Sequence, residues 1–181
     1  MLEANLENLK KGFPAISKSI GQYLAEGGAY CLEMNGHASG VVLLVEGDFN
    51  EPMKLFWQDE VNDQVKRAWN ESQEATEYGA TAIALMILQQ LTEYTVIERS
   101  FTGTGFDYWL GTGEYDENLL PFVQRKARLE ISGIWKASAN NTIDARVQLK
   151  RKQLEQSDAT LLPGLIIVVE FGTPTAKFMI K

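Results

Sequence analysis

The sequence predicts a mixed α/β fold, in which helices pack on one sheet that contains parallel and antiparallel strands. Three observations lead to this class. From Glu74 onward, the hydrophobic pattern gives a helix, three strands, a second helix and another strand. A helix between two strands predicts a crossover, and a crossover connects parallel strands. The length of 181 residues suits a single domain, residues 1–181, with a substantial core.

Residues 71–181 carry the core elements of this prediction. The first helix, in "QEATEYGATAIALMILQQLTEY", is apolar nearly all round and is therefore expected to be buried, with Asn70 or Ser72 as its N-cap. Three strands follow, in "YTVIERSF", "FDYWLG" and "FVQRKARLEISGIW". The second helix, in "NTIDARVQLKRKQLEQSD", is expected to have Thr142 as its cap. The strands "GLIIVVEFG" and "AKFMIK" come last.

The N-terminal part, residues 1–70, is predicted to extend this core with helices and a hairpin. Leu2, Leu6 and Leu9 have helical spacing, and a second helical pattern in "AISKSIGQYLAEGG" is expected to stop at the glycine pair 27–28. The runs "GVVLLVEG" and "MKLFWQ", joined by the turn-rich "DFNEP", predict the hairpin. Because the leucine stripe needs a cover, the N-terminal helices are a candidate surface for a homo-oligomer or a protein partner.

The composition restricts the class of function. The net charge of −7 and the pI of about 4.8 argue against a protein that coats nucleic acid nonspecifically, although bound cations or a local basic face can still serve a nucleic-acid substrate. Cys31 is the only cysteine and His37 the only histidine, which excludes an internal disulfide and a two-histidine metal site. No apolar run reaches the roughly 20 residues that cross a bilayer, so a cytoplasmic protein without a membrane partner is expected.

Two acids stand inside apolar segments that are predicted as strands: Asp107 in "FDYWLG" and Glu130 in "RLEISG". A carboxylate in a half-buried strand is costly unless it is compensated. Two charges about 4 Å apart repel by roughly 4 kcal/mol at an effective dielectric of about 20, so adjacent acids require protonation of one or a cation between them. Mg²⁺ binds through one or two carboxylates and is the economical explanation. Alternatively, backbone groups of "TGTG" hold Asp107, and Arg128 or Arg99 pairs with Glu130.

Further polar side chains are placed by helical spacing. Glu77 lies near the start of the apolar helix, where the helix dipole favours acids even without a ligand. Arg146, Lys150 and Gln153 follow at spacings of four and three and therefore share one face of the second helix. A cation on this face could offset the charge that develops on a metal-bound phosphate, although such a charged helix is also a common form of solvated surface.

The order helix–strand–strand–strand–helix–strand, with acids on the second and third strands, resembles the PD-(D/E)xK nuclease superfamily over roughly residues 74–171. The resemblance implies a restriction-endonuclease-like αβββαβ core with a mixed central sheet, in which Asp107 and Glu130 bind Mg²⁺ (or Mn²⁺). Phe106 stands where the family has a proline. Ser132 stands where the family has a lysine that helps to activate water, which is the main departure.

The resemblance also implies roles for the helices. Some members carry the lysine on the following helix, which makes Lys150 the preferred substitute and Lys152 the second choice. Gln153 resembles a helical glutamine of some members, and Glu77 resembles an additional metal ligand. The candidate catalytic residues are therefore Asp107, Glu130, Lys150 and Gln153, and the candidate metal ligands are Glu77, Asp107 and Glu130.

The predicted function is that of a Mg²⁺-dependent phosphodiesterase of nuclease type, which acts on nucleic acid. The alternative is a catalytically inactive nuclease-like fold that serves as a binding or assembly module, by analogy in defence against phage or foreign DNA.

Overall fold

The strands form one sheet of eight. The computed structural model describes residues 1 to 181. The strands are β1 (Leu2–Asn5), β2 (Val41–Gly47), β3 (Glu51–Phe56), β4 (Tyr94–Arg99), β5 (Tyr108–Thr112), β6 (Ala127–Ile134), β7 (Gly164–Glu170) and β8 (Thr175–Ile180). The α-helices are α1 (Lys18–Met34), α2 (Asp63–Ala68), α3 (Ser72–Leu91), α4 (Pro121–Gln124) and α5 (Ile143–Leu154). The order across the sheet is β1-β3-β2-β8-β7-β6-β5-β4, and the predicted mixed α/β class is confirmed.

The predicted order of the core elements is also confirmed, but two predicted bounds differ. The run predicted as the third strand begins with the short helix α4, and Asp107, predicted on the second strand, lies one residue before β5. After α3, the strands β4, β5 and β6 are antiparallel neighbours, and the crossover through α5 makes β6 and β7 parallel. Leu129 and Ile131 of β6 share an apolar cluster with α3, whereas Val147 and Leu154 of α5 form a second cluster with other strand residues. Because successive strand side chains point to opposite faces, Glu130 lies on the α5 face of the sheet.

The N-terminal part extends the same sheet. The predicted hairpin is confirmed as β2 and β3, which are antiparallel, and β1 adds to β3 in the parallel direction. A parallel pairing of β2 with β8 joins these strands to the core strands. None of the helices has the length and apolarity needed to cross a membrane.

The predicted first helix is wrong over its first residues and in its type. Residues Leu2–Asn5 form β1, and a 3₁₀ helix follows at Leu6–Lys11, with the Asn5 side chain accepting from the Glu7 amide as its cap. Pairing of β1 with the distant β3 overrides the local helical spacing. Leu6 and Leu9 are fully buried in the chain's own core, so the stripe that suggested an N-terminal partner surface is already covered.

The predicted stop at the glycine pair is wrong as well, because α1 continues through both glycines to Met34. A Cβ atom on Gly27 would lie 2.8 Å from the Trp69 ring, so the glycine permits close helix packing instead of ending the helix. The predicted cap of α3 is replaced by Glu71, whose carboxylate accepts from two first-turn amides. The Thr142 cap of α5 is confirmed.

Candidate functional site

A cleft of about 570 Å³ opens where β5 and β6 separate. The ladder between these strands ends at the pair Tyr108 and Leu129, so β6 continues beyond it without a partner on that side. The cleft reaches from the first turns of α3 to the inner face of α5. Its lining includes Ser72, Gln73, Thr76, Glu77, Tyr78, Thr81, Arg99, Asp107, Ser132, Gly133, Trp135, Asn141, Arg146 and Lys150.

Beyond the end of this ladder, Asp107 makes the hydrogen bonds to β6 that a further strand residue would otherwise make. Its backbone N–H donates to Leu129 O at 2.8 Å, and its Oδ2 accepts from the Ile131 N–H, also at 2.8 Å. The alternative in which the "TGTG" loop holds this acid is therefore wrong, since β6 holds it. Asp107 Oδ1 lies 4.0 Å from Arg99 Nη2, and the Asp107 side chain is about one-third exposed to the cleft.

Glu130 is buried on the α5 face of β6, with a relative exposure of 2%. Its Oε1 accepts from Lys150 Nζ at 2.6 Å and from Gln153 Nε2 at 3.1 Å. Lys150 Nζ also donates to Gln153 Oε1 at 3.2 Å, which closes a ring of three side chains. The predicted common face of α5 thus lies against Glu130, because helical spacing of three and four residues brings Lys150 and Gln153 to the same side.

The two acids influence each other. Burial, the charge of Asp107 and a hydrogen-bonding interaction with Asp107 raise the pKa of Glu130 to about 7, although the bond and charge of Lys150 act in the opposite direction. Glu130 holds a proton more readily than an ordinary carboxyl, and a cation, the lysine ammonium, lies beside it.

Apart from the interaction between the two carboxyls, each acid has one oxygen that no donor of the chain reaches. These atoms are Oε2 of Glu130 and Oδ1 of Asp107, because the donors described above reach only Oε1 and Oδ2. Free carboxylate oxygens are the ligands that Mg²⁺ and Mn²⁺ prefer. The donor set therefore fits a hard divalent cation that is bound through two carboxylates and several waters.

Glu77 lies on the rim of the cleft and is exposed. Nowhere in the chain do three or more acidic, cysteine or histidine side chains meet as a group that could hold a metal ion, so Glu77 is not assembled with Asp107 and Glu130. Its role as a third ligand stays a prediction. Lys152, the second choice for the helical lysine, is exposed and does not line the cleft.

Neither arginine proposed as a structural partner pairs with Glu130. Arg128 is buried and donates to the carbonyl oxygens of Leu154 and Leu162 and to the Ser157 hydroxyl, so it anchors the segment after α5 to β6. Arg99 donates to the Tyr108 hydroxyl at 2.8 Å. The strand ion pair expected for Glu130 is therefore wrong in its partner, since Lys150 takes that position.

Arg146 was absent from the predicted site residues. Its Nη1 donates to Ser132 Oγ at 3.1 Å, and its Nη2 donates to Asn141 Oδ1 at 2.9 Å. A guanidinium from α5 thus lies against the strand position at which the family resemblance expects a lysine. The spacing of four residues from Lys150 was the available signal, because it places both cations on one helix face.

Comparison of the chain with protein-family models, with curated proteins and with solved structures finds no match in any of the three.

Proposed function

We propose that the chain is a Mg²⁺- or Mn²⁺-dependent phosphodiesterase of nuclease type, with a restriction-endonuclease-like αβββαβ core, acting on nucleic acid. One observation carries the proposal: the carboxyl of Asp107, at the wall of the cleft, interacts with that of the buried Glu130, which bonds to Lys150 and Gln153 of α5. The order of β4, β5, β6 and β7 and the parallel β6–β7 pair agree with the order that the family resemblance implies.

Asp107 and Glu130 would hold the cation through their free oxygens. The cation would lower the pKa of a bound water and offset the negative charge that develops on the phosphate. Asp107 is well suited to this role because the Ile131 N–H fixes its carboxylate from the other side. Glu130 would lose its proton when the cation binds, since a cation favours the charged form of a carboxyl.

In the proposed reaction, Lys150 could exchange Glu130 for a second partner, the attacking water or the phosphate. In the structure its ammonium neutralises Glu130 at 2.6 Å. When Glu130 contacts a divalent cation, this ammonium is free to orient the attacking water or to offset charge on the phosphate. Gln153 bonds to both groups and would keep the ammonium of Lys150 beside the carboxyl of Glu130. Glu77, on the rim, would be a further ligand.

The second candidate is a binding or assembly module without catalysis. Two observations favour it: Glu130 is already neutralised within the chain by Lys150, and Ser132 replaces the strand lysine of the family pattern. The net charge of −7 also restricts favourable contact with nucleic acid to a local face.

A cleavage assay with Mg²⁺ or Mn²⁺ separates the two candidates. Labelled single- and double-stranded DNA and RNA are the substrates, and Asp107→Ala and Glu130→Ala are the variants. Glu155→Gln, which removes an exposed acid at the end of α5, is the matched control. We expect cleavage by the wild type and by the control, with loss in both alanine variants. Cleavage by both alanine variants at the wild-type rate would refute the assignment.

Thermal shift measurements with the same ions complete the test. We expect Mg²⁺ or Mn²⁺ to raise the midpoint of wild-type unfolding but not that of Asp107→Ala, because a ligand that binds the folded state stabilises it by mass action. A wild type that neither cleaves nor responds to the ions would favour the binding module.

A further inference from the structure

We propose that Arg146 is the phosphate-binding residue of the cleft. In this assignment, Lys150 serves Glu130 and the chemistry, whereas Arg146 holds the phosphodiester of the substrate. The inference deepens the proposed function and rests on it for the substrate class, nucleic acid. It arises from a difference between Arg146 and every other arginine that is not exposed.

That difference concerns charge compensation. Three arginines are not exposed, and two of them pair with a carboxylate: Arg125 with Glu98 at 2.6 Å, and Arg128 with Asp158 at 3.4 Å. Arg146 has only neutral partners, namely a hydroxyl, a side-chain amide and, at 3.5 Å, a backbone carbonyl. A half-buried guanidinium without a carboxylate partner favours an anion at its free N–H groups.

The position of the guanidinium is also fixed. Ser132 accepts from Nη1 and Asn141 accepts from Nη2, so two anchors set its plane at the wall of the cleft. A guanidinium has five N–H donors in a rigid fork, which leaves donors for the oxygens of a phosphate. Because this arrangement exists before substrate arrives, little side-chain entropy is lost on binding.

The other cations of the cleft are already engaged. Lys150 is bonded to Glu130, and Arg99 faces Asp107 at 4.0 Å and bonds to Tyr108. Each of these charges is therefore matched by an acid of the same site. Arg146 is left as the cation whose charge the chain does not match, at the same wall of the cleft as Lys150.

The test compares Arg146→Gln with Arg151→Gln. Arg151 lies on the same helix, is exposed and carries the same charge, so it is a matched control for long-range electrostatics. In Mg²⁺-dependent cleavage, we expect Arg146→Gln to raise KM by roughly 10-fold or more with a smaller change in kcat, since one charge-assisted phosphate contact is lost. Arg151→Gln should stay near wild type, and Arg146→Lys should recover part of the loss.

The salt dependence of KM gives a readout that a structural role would not change. Loss of one phosphate contact should lower the slope of log KM against log salt by about 1 in Arg146→Gln only. Equal KM values and slopes for Arg146→Gln and wild type would overturn the inference while leaving the proposed function intact. Equal effects of the Arg146 and Arg151 substitutions would overturn it too, because a distant charge would then suffice.

Binding separates failure of this inference from failure of the proposed function. If the wild type binds a labelled single-stranded oligonucleotide in fluorescence anisotropy but cleaves nothing, the proposed catalysis fails. In that case, weaker binding by Arg146→Gln alone still supports the phosphate site, and unchanged binding overturns it. A wild type that neither binds nor cleaves overturns both proposals.

Discussion

Replacing Glu130 with glutamine should change how the stability of the protein depends on pH. Burial and Asp107 raise the pKa of Glu130 from its ordinary value of 4.5 to about 7. Between these two values the folded state binds the proton more tightly than the unfolded chain does. The free energy of unfolding therefore falls as the pH rises through this window, and the stability linked to this proton is lost once the pH exceeds the folded pKa.

The magnitude follows from the difference between the two pKa values, 4.5 and about 7. One pKa unit corresponds to about 1.4 kcal/mol, so the complete loss is roughly 3 kcal/mol, and about 2 to 3 kcal/mol of it falls between pH 5 and pH 8. For a domain of this size, that loss lowers the midpoint of thermal unfolding by about 5 to 10 °C. Glu130→Gln removes the titrating group and with it this decline.

Urea unfolding followed by circular dichroism, at several pH values and in the presence of EDTA, measures the effect. The quantity of interest is the difference in unfolding free energy between wild type and Glu130→Gln, since contributions from all other titrating groups largely cancel. Glu155→Gln is the control for removing an exposed carboxyl. We expect the wild type to lose stability relative to Glu130→Gln as the pH rises.

The opposite result would refute the reasoning. If the wild type gains stability relative to Glu130→Gln between pH 5 and pH 8, the 2.6 Å ion pair with Lys150 outweighs burial and the charge of Asp107. Glu130 would then be ionised throughout this range. A difference that does not change with pH would likewise contradict a raised pKa.

Three further outcomes are expected. Arg128→Met should lower the urea-derived free energy of unfolding by about 2 kcal/mol, because the half-buried carbonyl of Leu162 loses its side-chain donor and the Leu154 carbonyl keeps only the Ser157 hydroxyl as a side-chain donor; a loss below about 1 kcal/mol would contradict this anchoring role. Gly133→Ala should lower the midpoint of thermal unfolding by several degrees, because the added Cβ would lie 2.6 Å from Thr76 and cost about 1–3 kcal/mol of stability. An unchanged midpoint would contradict this close contact. Lys150→Met should raise the pKa of Glu130 further in a carboxyl NMR titration, since the lysine lowers that pKa, and a decrease would contradict the ion pair.

The strength of the local pattern decided how much of the fold could be predicted. The apolar helix α3 and the capped helix α5 needed no distant partner to be recognised. At the N-terminus, the leucine spacing suited a helix, but β1 forms because it pairs with β3, about fifty residues away. The glycine pair resembled a helix stop, yet Gly27 allows close contact of α1 with the ring of Trp69, and Gly28 allows close contact with Leu6 and Ala82. Neither tertiary contact leaves a signal in the local sequence.

The difference between local patterns and tertiary contacts also decides which site residues could be predicted. Asp107 and Glu130 could be found because acids in apolar strands require compensation, and neighbouring strands bring them together. Helical spacing placed Lys150 and Gln153 on one face of α5, whereas their roles were implied by the family resemblance. The contact of Arg146 with Ser132 could not be found in this way, because it depends on how closely α5 approaches β6. Spacing gives the face of a helix but not its distance from the sheet.

The charges of the cleft also connect stability with the proposed function. Glu130 can be compensated by a proton, by Lys150 or by a divalent cation, and the first of these competes directly with the third. At neutral pH a fraction of the molecules carries a proton on Glu130. A divalent cation that binds there must displace this proton and replace Lys150 as the partner of the carboxylate. Burial makes this acid costly to ionise, so its charge depends on which cation lies beside it. Under the proposed function, Lys150 would become available for substrate only when a divalent cation is bound.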